Sequence, residues 1–121
     1  MSTQTTAEQL VQMCREGKNL EAISELYGDG VVSREAAGMP NEVTTGKEAV
    51  TKKSADWLAN VAEFHSSQVS DPIVAGGHFS CTMNFDVTFK DAGRVQMEEV
   101  CVYQVQDDQI VAEQFFYSMP G

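Results

Sequence analysis

The ten residues QMEEVCVYQV, 96–105, alternate in the manner of a β-strand although two acids stand side by side within them. Successive side chains of a strand point to opposite faces, so Glu98 and Glu99 cannot both reach water if one face is covered. Alternation groups Glu98 with Val100 and Val102, and Glu99 with Cys101 and Tyr103. One carboxyl is therefore expected to enter an interior.

Outward from this strand the same period continues. Stretches at 64–74, 78–89, 94–105 and 109–118 read as strands, divided by Gly76-Gly77, Asp91-Ala92-Gly93 and Asp107-Asp108. Tight turns join antiparallel neighbours, so a meander is expected. The first half has a helical period instead. Thr6-Ala7-Glu8-Gln9 has the spacing of a capping box, and Ala7, Leu10, Val11 and Cys14 follow as an apolar stripe that Gly17 can end. Asn19 is expected to cap a second helix carrying Leu20, Ile23 and Leu26, closed by Gly28. Thr45-Gly46-Lys47-Glu48 repeats the box before a third helix with Val50, Ser54, Trp57, Leu58 and Val61 on its stripe. Between these two helices, VVSREAA at 31–37 reads as a short strand with Glu35 near its end, and GMPNEVTTG at 38–46 as a loop. Helices first and strands later predict a single α+β domain over residues 1–121, three helices packed on a strongly bent, mainly antiparallel sheet.

The chain carries 18 acidic and 8 basic residues, a formal net charge of -10 that repels phosphate backbones and anionic lipid headgroups. Nucleic acid and membrane surfaces are thus not expected partners. No run of about 18 apolar residues occurs, and MSTQTTAEQL lacks the basic and apolar regions of a signal peptide, so a soluble, cytoplasmic protein is expected. Cys14, Cys81 and Cys101 are far apart and odd in number, which suits reduced core residues. His65 and His78 match no zinc spacing, so no metal is expected, and His78 beside Gly77 reads as a turn residue.

The order helix, helix, strand, helix, long meander resembles the nuclear transport factor 2-like superfamily, which includes the ketosteroid isomerases and the SnoaL-like polyketide cyclases. NLEAISELYGDGVVSREAAG at 19–38, GKEAV at 46–50 and QVQDDQIVAEQFFY at 104–117 carry the resemblance. It implies a cone closed by helices, a pocket for a small-molecule ligand or substrate between helices and sheet, no cofactor, and a homodimer. It places Met83, Phe85 and Val87, then Glu99, Cys101 and Tyr103, then Glu113, Phe115 and Tyr117 on the pocket wall. Trp57, on the third helix, reads as core with a secondary role as a lid. Asp86, Val100 and Val102 fall on the outer face, where a homodimer would cover them.

The segment REAAG resembles the isomerase segment in which an acid three residues before glycine acts as general base, which implies that role for Glu35. A carboxylate held there against apolar walls loses hydration and becomes a better proton acceptor. Leu10 stands at the family's pocket tyrosine and Cys101 at its protonated aspartic acid, so steroid isomerisation is not implied. Tyr103, Tyr117 or a neutral Glu99 would donate to a developing enolate instead. His65 matches a pocket position of the second strand, where its imidazole would relay protons. Two functions stay open: an isomerase or cyclase using carboxylate proton transfer, and a binding or dimerisation module without turnover.

Overall fold

The computed structural model describes residues 2–39 and 42–118. Its elements run α1 (Thr3–Arg15), α2 (Asn19–Leu26), β1 (Tyr27–Arg34), β2 (Val43–Thr45), α3 (Lys47–Asn60), β3 (Val61–Val69), β4 (Ile73–Ala75), β5 (His78–Phe89), β6 (Gly93–Gln106) and β7 (Gln109–Phe116). The main sheet has the order β2-β1-β7-β6-β5-β3, with β4 added to β5. Every pairing is antiparallel except β1 with β7.

The turns that punctuate the meander form as their residues dictate. Gly76 and Gly93 take positive φ, and Asp107 and Asp108 also adopt the left-handed region that a tight hairpin between β6 and β7 requires. The helix starts differ from the sequence reading. α1 begins at Thr3 because Ser2 accepts from the Thr5 amide at 3.2 Å, which leaves Thr6 inside the helix with its hydroxyl turned to the Ser2 carbonyl. Asn19 is the first helical residue of α2 and not its cap; its amide reaches the Cys14 sulfur at 3.7 Å. The second box is absent too, since Thr45 ends β2 and Gly46, at φ 99°, precedes α3. Gly17 does end α1 in the left-handed region.

Gly28 closes no helix. Tyr27 is already extended, and β1 starts there, four residues before the expected strand. A side chain at Gly28 would meet the Gln109 side chain at 3.3 Å, so glycine allows β1 and β7 to approach. Val43-Thr44-Thr45, within the stretch read as loop, pairs with Arg34-Ser33-Val32 as β2.

The core lies where the inner face of β5, β6 and β7 meets α1 and α2: Leu10, Val11, Ile23, Phe79, Cys101 and Ile110 are among its buried members. Phe79 stacks on Tyr103 with ring centroids 4.7 Å apart. Toward the start of β6 the helices part from the sheet, and a cavity opens under α3.

Candidate functional site

The parity of β6 sets one wall. Met83 pairs with Glu99, Phe85 with Met97 and Val87 with Val95 on the inner face, while Asn84 with Glu98 and Thr82 with Val100 occupy the outer face. The cavity encloses about 490 Å³, a volume suited to a small organic molecule. Its apolar end is aromatic: Trp57 packs against Phe64, Phe85 and Phe89 with centroids 5.7 to 6.0 Å apart. Carboxyls gather at the other end, where Glu35, Glu99 and Glu113 all line the space.

These three acids have different surroundings. Glu113 is 4% exposed at the base of the site. The parallel register sets Ser33 opposite it, and Ser33 Oγ donates to Glu113 Oε2 at 2.6 Å while the Tyr27 hydroxyl donates to Oε1. Burial raises the Glu113 pKa, and these two donors and Lys53 oppose that rise. Glu35 follows β1, with Lys53 Nζ 3.7 Å from Oε2 and the Tyr117 hydroxyl 3.3 Å from Oε1. It therefore sits beside a cation and a hydroxyl, and not against apolar walls alone. Glu99 has no such cation in contact among the described residues; the Cys101 thiol reaches its Oε1 at 3.8 Å. Desolvation first, and the charge of Glu35 second, push the Glu99 pKa up to about 7. The Tyr117 hydroxyl is pushed up to about 12 by burial and the Glu35 charge, which keeps it a donor at neutral pH.

The sequence profile of the SnoaL-like domain matches residues 1–117. The chain belongs to the SnoaL-like family. A candidate SnoaL-like polyketide cyclase from Mesorhizobium loti is 36% identical, with a TM-score of 0.92 over 97% of this chain and 100% of that one. Two more distant structures share the SnoaL-like fold. A candidate SnoaL-like polyketide cyclase from Jannaschia sp. CCS1 is 15% identical, with a TM-score of 0.77 over 97% of this chain and 87% of the other. A protein of ketosteroid isomerase-like fold from Catenulispora acidiphila, solved with trimethylamine, is 17% identical, with a TM-score of 0.74 over 93% and 85% of the two chains. No curated relative matches the sequence.

Of the residues singled out from sequence, the SnoaL-like cavity brings together Glu35, Trp57, Met83, Phe85, Glu99, Tyr103, Glu113, Phe115 and Tyr117. Val87 and Cys101 are buried outside its lining, and Cys101 lies opposite Cys81 in the β5–β6 ladder. Burial pushes the Cys14 thiol, which does line the cavity, up to about 12, so it is no ready nucleophile. His65 is a correction. The register of β3 shifts between Phe64 and Ser66, so Ser67 and Phe64 both meet inner-face partners of β5 while His65 turns outward. There its ring nitrogens contact Thr88 Oγ1 at 2.7 Å and Glu63 Oε2 at 3.1 Å, away from the cavity acids.

Three polar residues of the site, Tyr27, Ser33 and Lys53, are not among the residues singled out from sequence. The parity of VVSR would have paired Ser33 with Val31 on the inner face. Lys53 lies three residues after Val50 and four before Trp57, both apolar stripe positions, so helical spacing puts it on their side of α3.

Proposed function

We propose that this SnoaL-like protein is a cofactor-independent enzyme that transfers a proton on a carbonyl-bearing organic substrate, in an isomerisation or an aldol-type cyclisation. The observation that carries the reading is a pair of carboxyls in opposite surroundings within one largely apolar cavity, since such pairs divide acid and base work. Glu35, beside Lys53 and Tyr117, is the proton acceptor. It removes a proton from the carbon next to the carbonyl, and the electron pair moves onto the carbonyl oxygen. Glu99, neutral below about 7, donates to that oxygen, and the Tyr117 hydroxyl turns from Glu35 to donate beside it once Glu35 has taken the proton. The enolate then regains a proton from Glu35 at another carbon, or attacks a second carbonyl carbon to close a ring, in which case that carbonyl's π pair moves to its oxygen and the alkoxide takes the proton from Glu35. The aromatic end around Trp57 holds the apolar body of the substrate.

A binding module is the second reading, favoured by the engagement of both Glu35 oxygens by neighbouring groups. Glu35→Gln separates the two. It keeps shape and removes the basic oxygen, so turnover of small cyclic enones and 1,3-diketones should fall by roughly 10²- to 10⁴-fold while their affinity is retained. Turnover should also decline as pH rises through about 7, where Glu99 loses its proton. Unchanged turnover in Glu35→Gln would leave the binding module.

Two features support the wider setting. Val100 and Phe116, 45% and 50% exposed and paired across β6 and β7, form an uncovered apolar row suited to a second copy of this chain. Three free thiols suit a reducing compartment such as the cytoplasm, and no helix among the described residues is long and apolar enough to cross a membrane.

A further inference from the structure

Lys53 is the one cation among the described residues that line the cavity. It comes from the middle of α3 and ends between two acids of different depth. Its Nζ donates to Ser33 Oγ at 2.7 Å, and that hydroxyl in turn donates to the buried Glu113 at 2.6 Å. The same nitrogen lies 3.7 Å from Glu35 Oε2 and 5.8 Å from the centre of the Phe115 ring. The ammonium is thus fixed by a hydroxyl, a carboxylate and an aromatic face, and its side chain is 23% exposed.

We propose that Lys53 is a positioning residue that holds Glu35 at the cavity surface and ties it, through Ser33, to the buried Glu113, so that the three act as one unit. That Glu35 needs positioning for chemistry rests on the proton-transfer reading; the linkage itself does not. A carboxylate on a loop after a strand end has several rotamers, and a fixed cation selects those that bring Oε2 to it. The opposite oxygen is then left to Tyr117. The groups that share this space are Tyr27, Ser33 and Glu35 from the β1 side, Glu113, Phe115 and Tyr117 from the β7 side, and Glu99 from β6.

Glu99 reports on the unit without any substrate, because the Glu35 charge raises its pKa and the Lys53 charge lowers it. Carbon-detected NMR titration of the glutamate carboxyls would follow it in wild type, Lys53→Met, Lys53→Arg, Glu35→Gln and the Lys53→Met/Glu35→Gln double variant, each first shown to melt cooperatively. Lys53→Met should move the Glu99 midpoint upward from about 7 by roughly half a unit, Lys53→Arg should leave it near wild type, and the double variant should fall between the two single ones. With an identified substrate, Lys53→Met should lower kcat roughly 10- to 100-fold with little change in KM, and add nothing in the Glu35→Gln background. A Glu99 midpoint that ignores Lys53→Met overturns the unit, as does a Glu113 midpoint that fails to rise, since the Lys53 charge lowers both. If Glu35→Gln abolishes turnover while Lys53→Met leaves kcat intact, positioning is overturned. If Glu35→Gln itself leaves turnover intact, the proton-transfer reading falls, and the titrations still decide the linkage.

Discussion

Replacing Glu99 by glutamine should stabilise the protein, and increasingly so as pH rises. The folded carboxyl is pushed up from 4.5 to about 7 by desolvation and by Glu35. Below 4.5 the folded and unfolded chains are both protonated there, and Glu99 contributes no pH dependence. Between 4.5 and about 7 the folded chain holds more protons than the unfolded one, so stability falls with rising pH. Above about 7 the penalty is fully present. At 1.36 kcal/mol per unit it approaches about 3 kcal/mol, and it is only about 1 kcal/mol at pH 5. Glutamine cannot ionise, so the gap in stability between Glu99→Gln and wild type should widen by about 2 to 3 kcal/mol from pH 5 to pH 8. Urea unfolding followed by circular dichroism at several pH values measures this directly, and taking differences at each pH cancels most of the titration of other acids. For a domain of this size the gap at pH 8 corresponds to roughly 10 °C in Tm. A variant-to-wild-type difference that is flat between pH 5 and pH 8 would refute the desolvated placement of Glu99.

Ser33→Ala removes the donor to Glu113 and the acceptor for Lys53 in a site with no exposure, and should cost about 2 kcal/mol by urea unfolding, more than a surface serine would. Phe116→Lys, on the uncovered outer row, should shift a dimer to monomer in sedimentation velocity at micromolar concentration with no loss of Tm attributable to the cavity; a wild-type monomer would remove the dimer.

Much of the fold was legible because its signals are local. Alternation in β5, β6 and β7 needs only neighbouring residues, so a period of two grouped Glu99 with Tyr103 and Glu113 with Phe115, and the family resemblance assigned those faces to the pocket. The turns at Gly93 and at Asp107-Asp108 followed from the few residue types that accept positive φ. Helix starts were less secure, since a serine at position 2 competed with a threonine at position 6 for the same role and the earlier hydroxyl caps the longer helix.

Tertiary structure alone decided the rest. A bulge in β3 exists only in relation to β5, and its one extra residue turned His65 outward although the family resemblance set it at a pocket position. The parallel contact of β1 with β7 brings Ser33 to Glu113 across 80 residues, and Tyr27 to the same carboxyl across 86. Lys53 meets Glu35, which follows β1, from the middle of α3. Local alternation set which side chains share a face, because that is a property of the local backbone, and the family resemblance assigned the face of Glu99 and of Glu113 to the pocket. Which of those acids is paired with a cation and which is left to be desolvated is a property of distance in space, and chain order does not contain it until the sheet and α3 have packed.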